Sequence, residues 1–345
     1  MKSLFLTAPG CLELRDTPPP VPGAGELVVE IRAALTCGTD LKTWRRGHPK
    51  IPLPSPFGHE FAGTVAAVGQ GVTTFRPGDE VMAVHSAPCG HCFYCRAGQE
   101  NLCDQVMENK VLGAFAEQIL LPAPIVERNL YPKPPQLSFE AAAFLEPLAC
   151  VVYAAQVQPL RGGETVLILG GGPIGLLFLL LARARGAGRV IVAGRRAPRL
   201  QQAHRLGADL VIDVDRDDAL AQVLAATDGR GADQVIECTG RPEAWEISPR
   251  LVRKGGRVLL YGGCPGGTTV CFDTGRLHYD EITLQGVFHF TPRAVAAARE
   301  LLIEGIIDVE PLISGRFPLS GLESALLLLA QGEGLKYAIL PGEER

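Results

Sequence analysis

The chain has 345 residues, 47% of them apolar and 20% charged, with a formal net charge of −4, which fits a globular protein of two domains better than a single core. That weakly acidic balance gives no electrostatic reason to bind nucleic acid or an anionic membrane. The longest apolar runs, Gly175 to Ala182 and Ala325 to Ala330, fall short of the ~20 residues that span a bilayer, and the N-terminal apolar patch is too short for a signal peptide. The expectation is therefore a cytoplasmic protein that acts on small molecules.

The first ~150 residues are rich in proline and glycine, with short alternating apolar runs such as "ELVVEIRA", "EFAGTVAAVG" and "DEVMAVH". Such runs, separated by turn signals, predict a β-rich unit. Within it Cys37 opens "CGTDLKTW", and His59 and Glu60 fall in "FGHEFAG" at the edge of a strand. One thiolate, one imidazole and one or two carboxylates make the incomplete shell that a catalytic zinc needs. Taken alone, the same residues also fit a buried cysteine and a core histidine.

Further on, "CGHCFYCRAGQENLC" places Cys89, Cys92, Cys95 and Cys103 close together, while the other six cysteines are scattered singly. In a reducing compartment tandem C-x-x-C spacing points to metal more than to disulfides, and a closed four-thiolate zinc site is structural. His91 lies inside this loop and is expected to face solvent. Between "SFEAAAFL" and "PLACVVYAAQ" stands Glu146. Pro147 disfavours the helical conformation in the residue before it, which predicts a break between two helices at Glu146. A carboxylate there fits a metal ligand, or merely a charge favourable to the helix dipole.

From Glu164 the pattern changes to strand-like runs alternating with helical ones, which implies βαβ units and a parallel sheet. Gly170, Gly172 and Gly175, with Pro173 and Ile174 between the last two, form G-x-G-x-x-G after the strand "TVLIL" and open a helix. In that context the motif predicts a dinucleotide's pyrophosphate against the helix N-terminus. The next strand, "RVIVAG", ends at Gly194 and runs into Arg195, Arg196 and, one turn on, Arg199. An acid at that end would bond the ribose 2′-hydroxyl of NAD, whereas a small residue beside arginines makes room for a 2′-phosphate. The expected cofactor is thus NADP(H) in preference to NAD(H), unless the arginines are only surface charge. After Thr291 two amphipathic helices and a last strand, "KYAILP", are expected to pack back on the first unit.

These motifs occur in an order that resembles the zinc-dependent medium-chain dehydrogenase/reductase family, and its sorbitol, threonine and polyol dehydrogenase branch in particular: "CGTD", "GHEFAG", "RPGDEV", the four-cysteine lobe, "GAFAE", "EPLAC", "GGGPIG", "ECTG" and "HYDEITLQG". The resemblance implies an α/β chain with a GroES-like β-rich catalytic domain over residues 1–148, its structural zinc lobe at 85–105, a Rossmann domain with a doubly wound parallel sheet over 149–290, and a return to the catalytic domain over 291–345, the cleft lying between the two. It implies two Zn2+ ions per chain. One would be catalytic, on Cys37, His59, Glu60 and Glu146, with the two glutamates able to exchange. The other would be structural, on Cys89, Cys92, Cys95 and Cys103.

By the same resemblance Asp40 orients His59, and Thr39 relays the proton of the substrate alcohol. Lys42 stands where many relatives have a histidine that finishes the relay, and an ammonium accepts no further proton. Cys238, Thr239, Tyr261, Gly262, Gly263, Val287, Phe288 and His289 are placed along the nicotinamide side. Thr43, Glu146 and His289 line the substrate's side. Thr43 replaces a tyrosine of sorbitol dehydrogenases, and His289 with Phe290 replaces an Arg-Tyr pair, so sorbitol itself is not implied.

The implied activity is hydride transfer between a secondary alcohol or polyol, or its ketone, and NADP(H), in a homodimer or homotetramer. Two other readings stay open: a zinc-independent NADPH quinone or enone reductase, and a non-catalytic cofactor-binding protein.

Overall fold

A computed structural model describes residues 1–48 and 51–342. The chain forms two compact units, one of Met1–Cys150 with Phe290–Arg345, the other of Val151–His289.

The first unit is built on a seven-stranded sheet. Its main path runs Ile313–Pro318, Lys336–Leu340, Leu27–Leu35, Phe61–Val68, Glu80–Ala83 and Leu130–Pro132, with Gln118–Leu121 also paired to Leu27–Leu35. Leu27–Leu35 is central, and most of its residues are buried, as its run of branched side chains requires. The C-terminal strand Lys336–Leu340 is buried along its whole length and pairs with this strand at Ala338–Leu35 and Ile339–Ala34. Residues more than 300 positions apart thereby close one core, which joins Leu27, Val29 and Ile31 to Leu322, Leu326 and Ile339. A small sheet of Cys11–Asp16, Lys2–Ala8 and Ser55–Pro56 completes the unit.

The second unit is a six-stranded, all-parallel sheet in the order Leu210–Asp213, Arg189–Gly194, Thr165–Leu169, Ala232–Glu237, Val252–Leu260, Thr283–Gly286. The first strand in sequence, Thr165–Leu169, lies inside, and the order reverses beside it. That reversal is the switch point at which doubly wound sheets bind dinucleotides. Two of the inner strands are buried apolar runs over residues 166–169 and 190–194, as parallel strands covered on both faces require. The helix Pro173–Ala184 buries Leu176, Leu177, Phe178, Leu179 and Leu181.

Two expectations need correction. The helix break near Glu146 falls earlier, since Phe139–Ala142 is one helix and the next, Leu145–Val157, already contains Glu146 in its first turn. Packing overrides the weak local bias that a proline places on its predecessor. The longest apolar helical stretch was also missed. Phe139–Val157 is 19 residues long and apolar enough to cross a bilayer, and it is mostly buried within the protein. Glu140 and Glu146 interrupt the run, which hides it when only unbroken apolar runs are read.

Candidate active site

In the first unit Cys37 caps the helix Gly38–Arg46, where its sulfur accepts from Thr39 N–H at 3.5 Å and its own N–H donates to Asp40 Oδ2 at 2.9 Å. Negative charge is favoured at such a helix start. His59 and Glu60 precede the strand Phe61–Val68 and follow Gly58, whose φ of 91° and contact with Phe115 leave no space for a side chain; a Cβ there would lie 2.6 Å from the Phe115 ring. The ligand atoms of Cys37, His59 and Glu60 lie within 4.8 Å of one another.

Asp40, buried to 2% exposure rather than sitting in an open turn, places Oδ1 3.1 Å from His59 Nδ1. Burial acts to lower the imidazole's pKa, but the Asp40 and Cys37 side chains outweigh it and hold the ring well above its ordinary value. Glu60 is fully buried; burial pushes its carboxyl up against the pull of Lys336, whose ammonium is paired with Glu60 Oε2. Glu60 Oε1 is buried with no hydrogen-bond partner. An orphaned carboxylate oxygen beside a thiol and an imidazole is the donor set that fits zinc.

Glu146 lies outside that tight group. Its Oε1 is 3.4 Å from His85 Nδ1 and 3.7 Å from Cys150 Sγ, and burial pushes its carboxyl up to about 7. The neighbouring charges of His59 and Glu60 act on it in opposite directions. Thr39 and Lys42 are exposed on the capped helix, while Thr43 is buried with Oγ1 unpartnered.

The four-cysteine lobe is folded tightly with every thiol free. Cys89 Sγ lies 3.9 Å from Cys95 Sγ, and Cys92 Sγ 3.5 Å from Cys95 Sγ. Four thiolates at the usual zinc–sulfur distance stand about 3.8 Å apart in a tetrahedron, so the cage has the size of the ion. Backbone N–H groups of Cys92 and Gln105 point at the sulfurs of Cys89 and Cys103. The four sulfurs differ in acidity: backbone hydrogen bonds from Cys95 and Asp104 bring Cys92 down to about 6, while burial pushes Cys95 up to about 12. His91 is exposed, its Nδ1 3.0 Å from Cys89 O.

In the second unit Gly172 is the N-cap of Pro173–Ala184, and a Cβ on it would meet nothing within 4 Å. A Cβ on Gly175 would lie 1.9 Å from Gly170 O, so strand and helix can meet only through glycine. Ile174 stands in the first turn of the same helix. Gly194 ends its strand; Arg195 and Arg196 are exposed, Arg199 is half-buried, and Arg195 Nε lies 3.0 Å from Asp215 Oδ1. Past the strand Ala232–Glu237, the Glu237 carboxylate accepts from Thr239 N–H at 2.6 Å, from the Thr239 hydroxyl and from Gly240 N–H at 3.2 Å. This fixes Cys238 and Thr239 on a tight turn. Trp245 Nε1 donates to Gly262 O at 2.8 Å and so holds the loop of Tyr261, Gly262 and Gly263. Val287, Phe288 and His289 follow the last strand, with the Phe288 and His289 rings stacked at 5.5 Å and His289 at φ 64°.

Residues 23–134 match the model of the alcohol dehydrogenase GroES-like domain and residues 173–304 that of the zinc-binding dehydrogenase. The chain is 31% identical to a sorbitol dehydrogenase of Bacillus subtilis over 96% of this chain and 94% of that one. It is 34% identical to an L-threonine 3-dehydrogenase of Bacillus licheniformis over 92% and 91%. The chain belongs to the zinc-type medium-chain alcohol dehydrogenase family. A protein described as a zinc-binding dehydrogenase from Sinorhizobium meliloti, solved bound to NADP, superposes with a TM-score of 0.90 at 32% identity over 99% of both chains.

Three residues of this dehydrogenase escaped the sequence reading. Lys336 reads as the solvated start of a strand, yet it is 2% exposed and reaches both Glu60 and, at 3.0 Å, Thr36 O. His85 follows the strand Glu80–Ala83, its ring 5.2 Å from that of His59 and 5.9 Å from that of Phe290. Its only local signal is a polar residue that continues an apolar run. Asp215 sits in the acidic stretch "DVDRDD", which reads as an exposed loop.

Proposed function

We propose that this dehydrogenase transfers a hydride between a secondary alcohol or polyol, or the matching ketone, and NADP(H), with one zinc on Cys37, His59 and Glu60 and a second on Cys89, Cys92, Cys95 and Cys103. The observation that carries the reading is the convergence of a thiol, an imidazole and a carboxylate within 4.8 Å, with a buried Glu60 oxygen left for a ligand. Zinc held there by Cys37, His59 and Glu60 would supply Lewis acidity to a substrate oxygen, and a bound nicotinamide would supply the hydride acceptor or donor.

The chain's own residues do the positioning. Asp40 holds His59 through Nδ1 and leaves Nε2 as the ring nitrogen free to ligate. Lys336 fixes one Glu60 oxygen and leaves the other. The Thr39 hydroxyl, at the exposed start of the helix, accepts the alcohol's proton as it gives its own to solvent beside the exposed Lys42. Glu146, buried nearby, is the exchange partner of Glu60.

The preference for NADP rests on Gly194 with Arg195, Arg196 and Arg199. The carboxylate that would repel a 2′-phosphate is missing from the strand's end, and the solved relative carries NADP. A soluble homodimer or homotetramer completes the reading.

A panel of polyols, amino alcohols and simple secondary alcohols, followed by nicotinamide absorbance with NADP and NAD in parallel, tests it. Turnover should be found with at least one secondary alcohol and favour NADP. Gly194→Asp combined with Arg195→Ala should shift preference toward NAD. A clear preference for NAD in the unaltered protein, or activity that survives complete zinc removal, would overturn the reading.

A further inference from the structure

The acid missing from the end of one strand stands just beyond the end of the next. Arg189–Gly194 and Leu210–Asp213 run in parallel with Gly194 opposite Asp213, and Val214 N–H donates to Gly194 O at 3.0 Å. Beyond Asp213 the chain turns sharply. Arg216 and Asp217 N–H groups return to Asp213 O at 3.0 and 2.8 Å, Asp215 N–H donates to Asp213 Oδ1 at 3.1 Å, and Asp213 N–H donates to Asp217 Oδ2 at 3.2 Å. Asp213 and Asp217 are thus spent on the turn itself. Asp215 is not: its carboxylate is the one carried to Arg195, at 3.0 Å, with both side chains about half exposed.

We propose that Asp215 sets the cofactor ratio of this enzyme by occupying Arg195 in place of a 2′-phosphate. The inference rests on the assignment of Arg195 to the phosphate. A protein carboxylate on the guanidinium must be displaced before a cofactor phosphate takes the same donors, and the displaced carboxylate then lies beside a second anion. Both effects weaken NADP and leave NAD, which brings no anion to that position, unchanged. Asp215 thereby keeps NADP exchangeable at a site whose backbone, ending in Gly194, accepts it.

The worth of an exposed ion pair corresponds to a factor of about 1.5 to 5 in an equilibrium constant, which is the size of change to look for. Dissociation constants for NADP+, NAD+ and adenosine 2′,5′-bisphosphate would be measured by titration calorimetry on the intact protein, on Asp215→Asn, on Arg195→Ala and on the double variant. Asp215→Asn should tighten NADP+ and the bisphosphate by a factor of about 1.5 to 5, more at low salt than at high. NAD+ should stay where it is, and the gain should vanish when Arg195 is alanine. An equal change for NAD+ and NADP+, no change, or a gain that persists without Arg195 would overturn the proposal. The two ideas fail separately: the unaltered protein's own ratio tests the NADP assignment, whereas the shift in that ratio on Asp215→Asn tests the role of Asp215 whichever cofactor is preferred.

Discussion

Lys336→Met should be among the most damaging conservative changes in the protein. The Lys336 and Glu60 side chains are 2% and 0% exposed, the ammonium pairs with Glu60 Oε2, and it also donates to Thr36 O at 3.0 Å. Methionine keeps the volume and leaves a carboxylate and a carbonyl buried without that cation. Breaking one side of a buried pair costs about 3–5 kcal/mol. In a cooperative unit of about 200 residues, at about 2–4 °C per kcal/mol, the melting temperature falls by about 6–20 °C. The assay is thermal and urea unfolding of the unaltered chain, Lys336→Met, Glu60→Gln and the double variant, all stripped of metal so that zinc affinity does not enter. Removing both charges should recover most of the loss, with a coupling of at least about 2 kcal/mol. If Lys336→Met melts with the unaltered chain, or the double variant is simply additive, the pair does not hold this core and the account of Glu60 orientation fails with it.

The metal assignments separate by variant. Purified protein should carry two zinc ions per chain by elemental analysis; Cys37→Ser should lose one and all activity while keeping most of its stability, and Cys92→Ser should lose the other and melt lower. Loss of both ions from either change would argue for a shared site. The two motif glycines should part in the same way. Gly175→Ala drives a Cβ to 1.9 Å from Gly170 O and should destabilise the second unit by about 1–3 kcal/mol or more. Gly172→Ala, with nothing within 4 Å, should fold normally and lose cofactor affinity in a binding titration. Acid should weaken the second unit through Asp233. Burial acts to raise that carboxyl, but Arg253 at 2.6 Å and the Thr165 N–H at 2.7 Å bring it below 3.8. A group depressed by folding stabilises above its unfolded pKa, and the contribution disappears as pH falls below about 4. Asp233→Asn should flatten that limb of the stability–pH curve, and an unchanged curve would assign the acid sensitivity elsewhere.

How far the sequence reaches depends on how local each feature is. The glycine turn, the alternation of strands and helices, and the cysteine lobe each lie within a short window, and the parallel sheet with its switch point follows from them. Cys37 and His59 were less local: their residue types suggest a metal shell, yet taken alone they fit a buried cysteine and a core histidine as well, and only the resemblance of the whole chain to a family favoured the ligand reading, since the fold brings them together across 22 positions. Lys336 and Asp215 had no such signal. Lys336 meets Glu60 across 276 positions, through a strand whose place in the sheet is decided by Ala338 and Ile339 pairing with Leu35 and Ala34. In isolation a lysine before "YAIL" reads as the wet end of a strand, and only the closed core makes it dry. Asp215 reads as loop charge until the register of two parallel strands sets Gly194 against Asp213. The arginine-rich end of the strand could therefore be read as lacking an acid, when the fold supplies one, Asp215, from the turn beyond the neighbouring strand and sets it against Arg195.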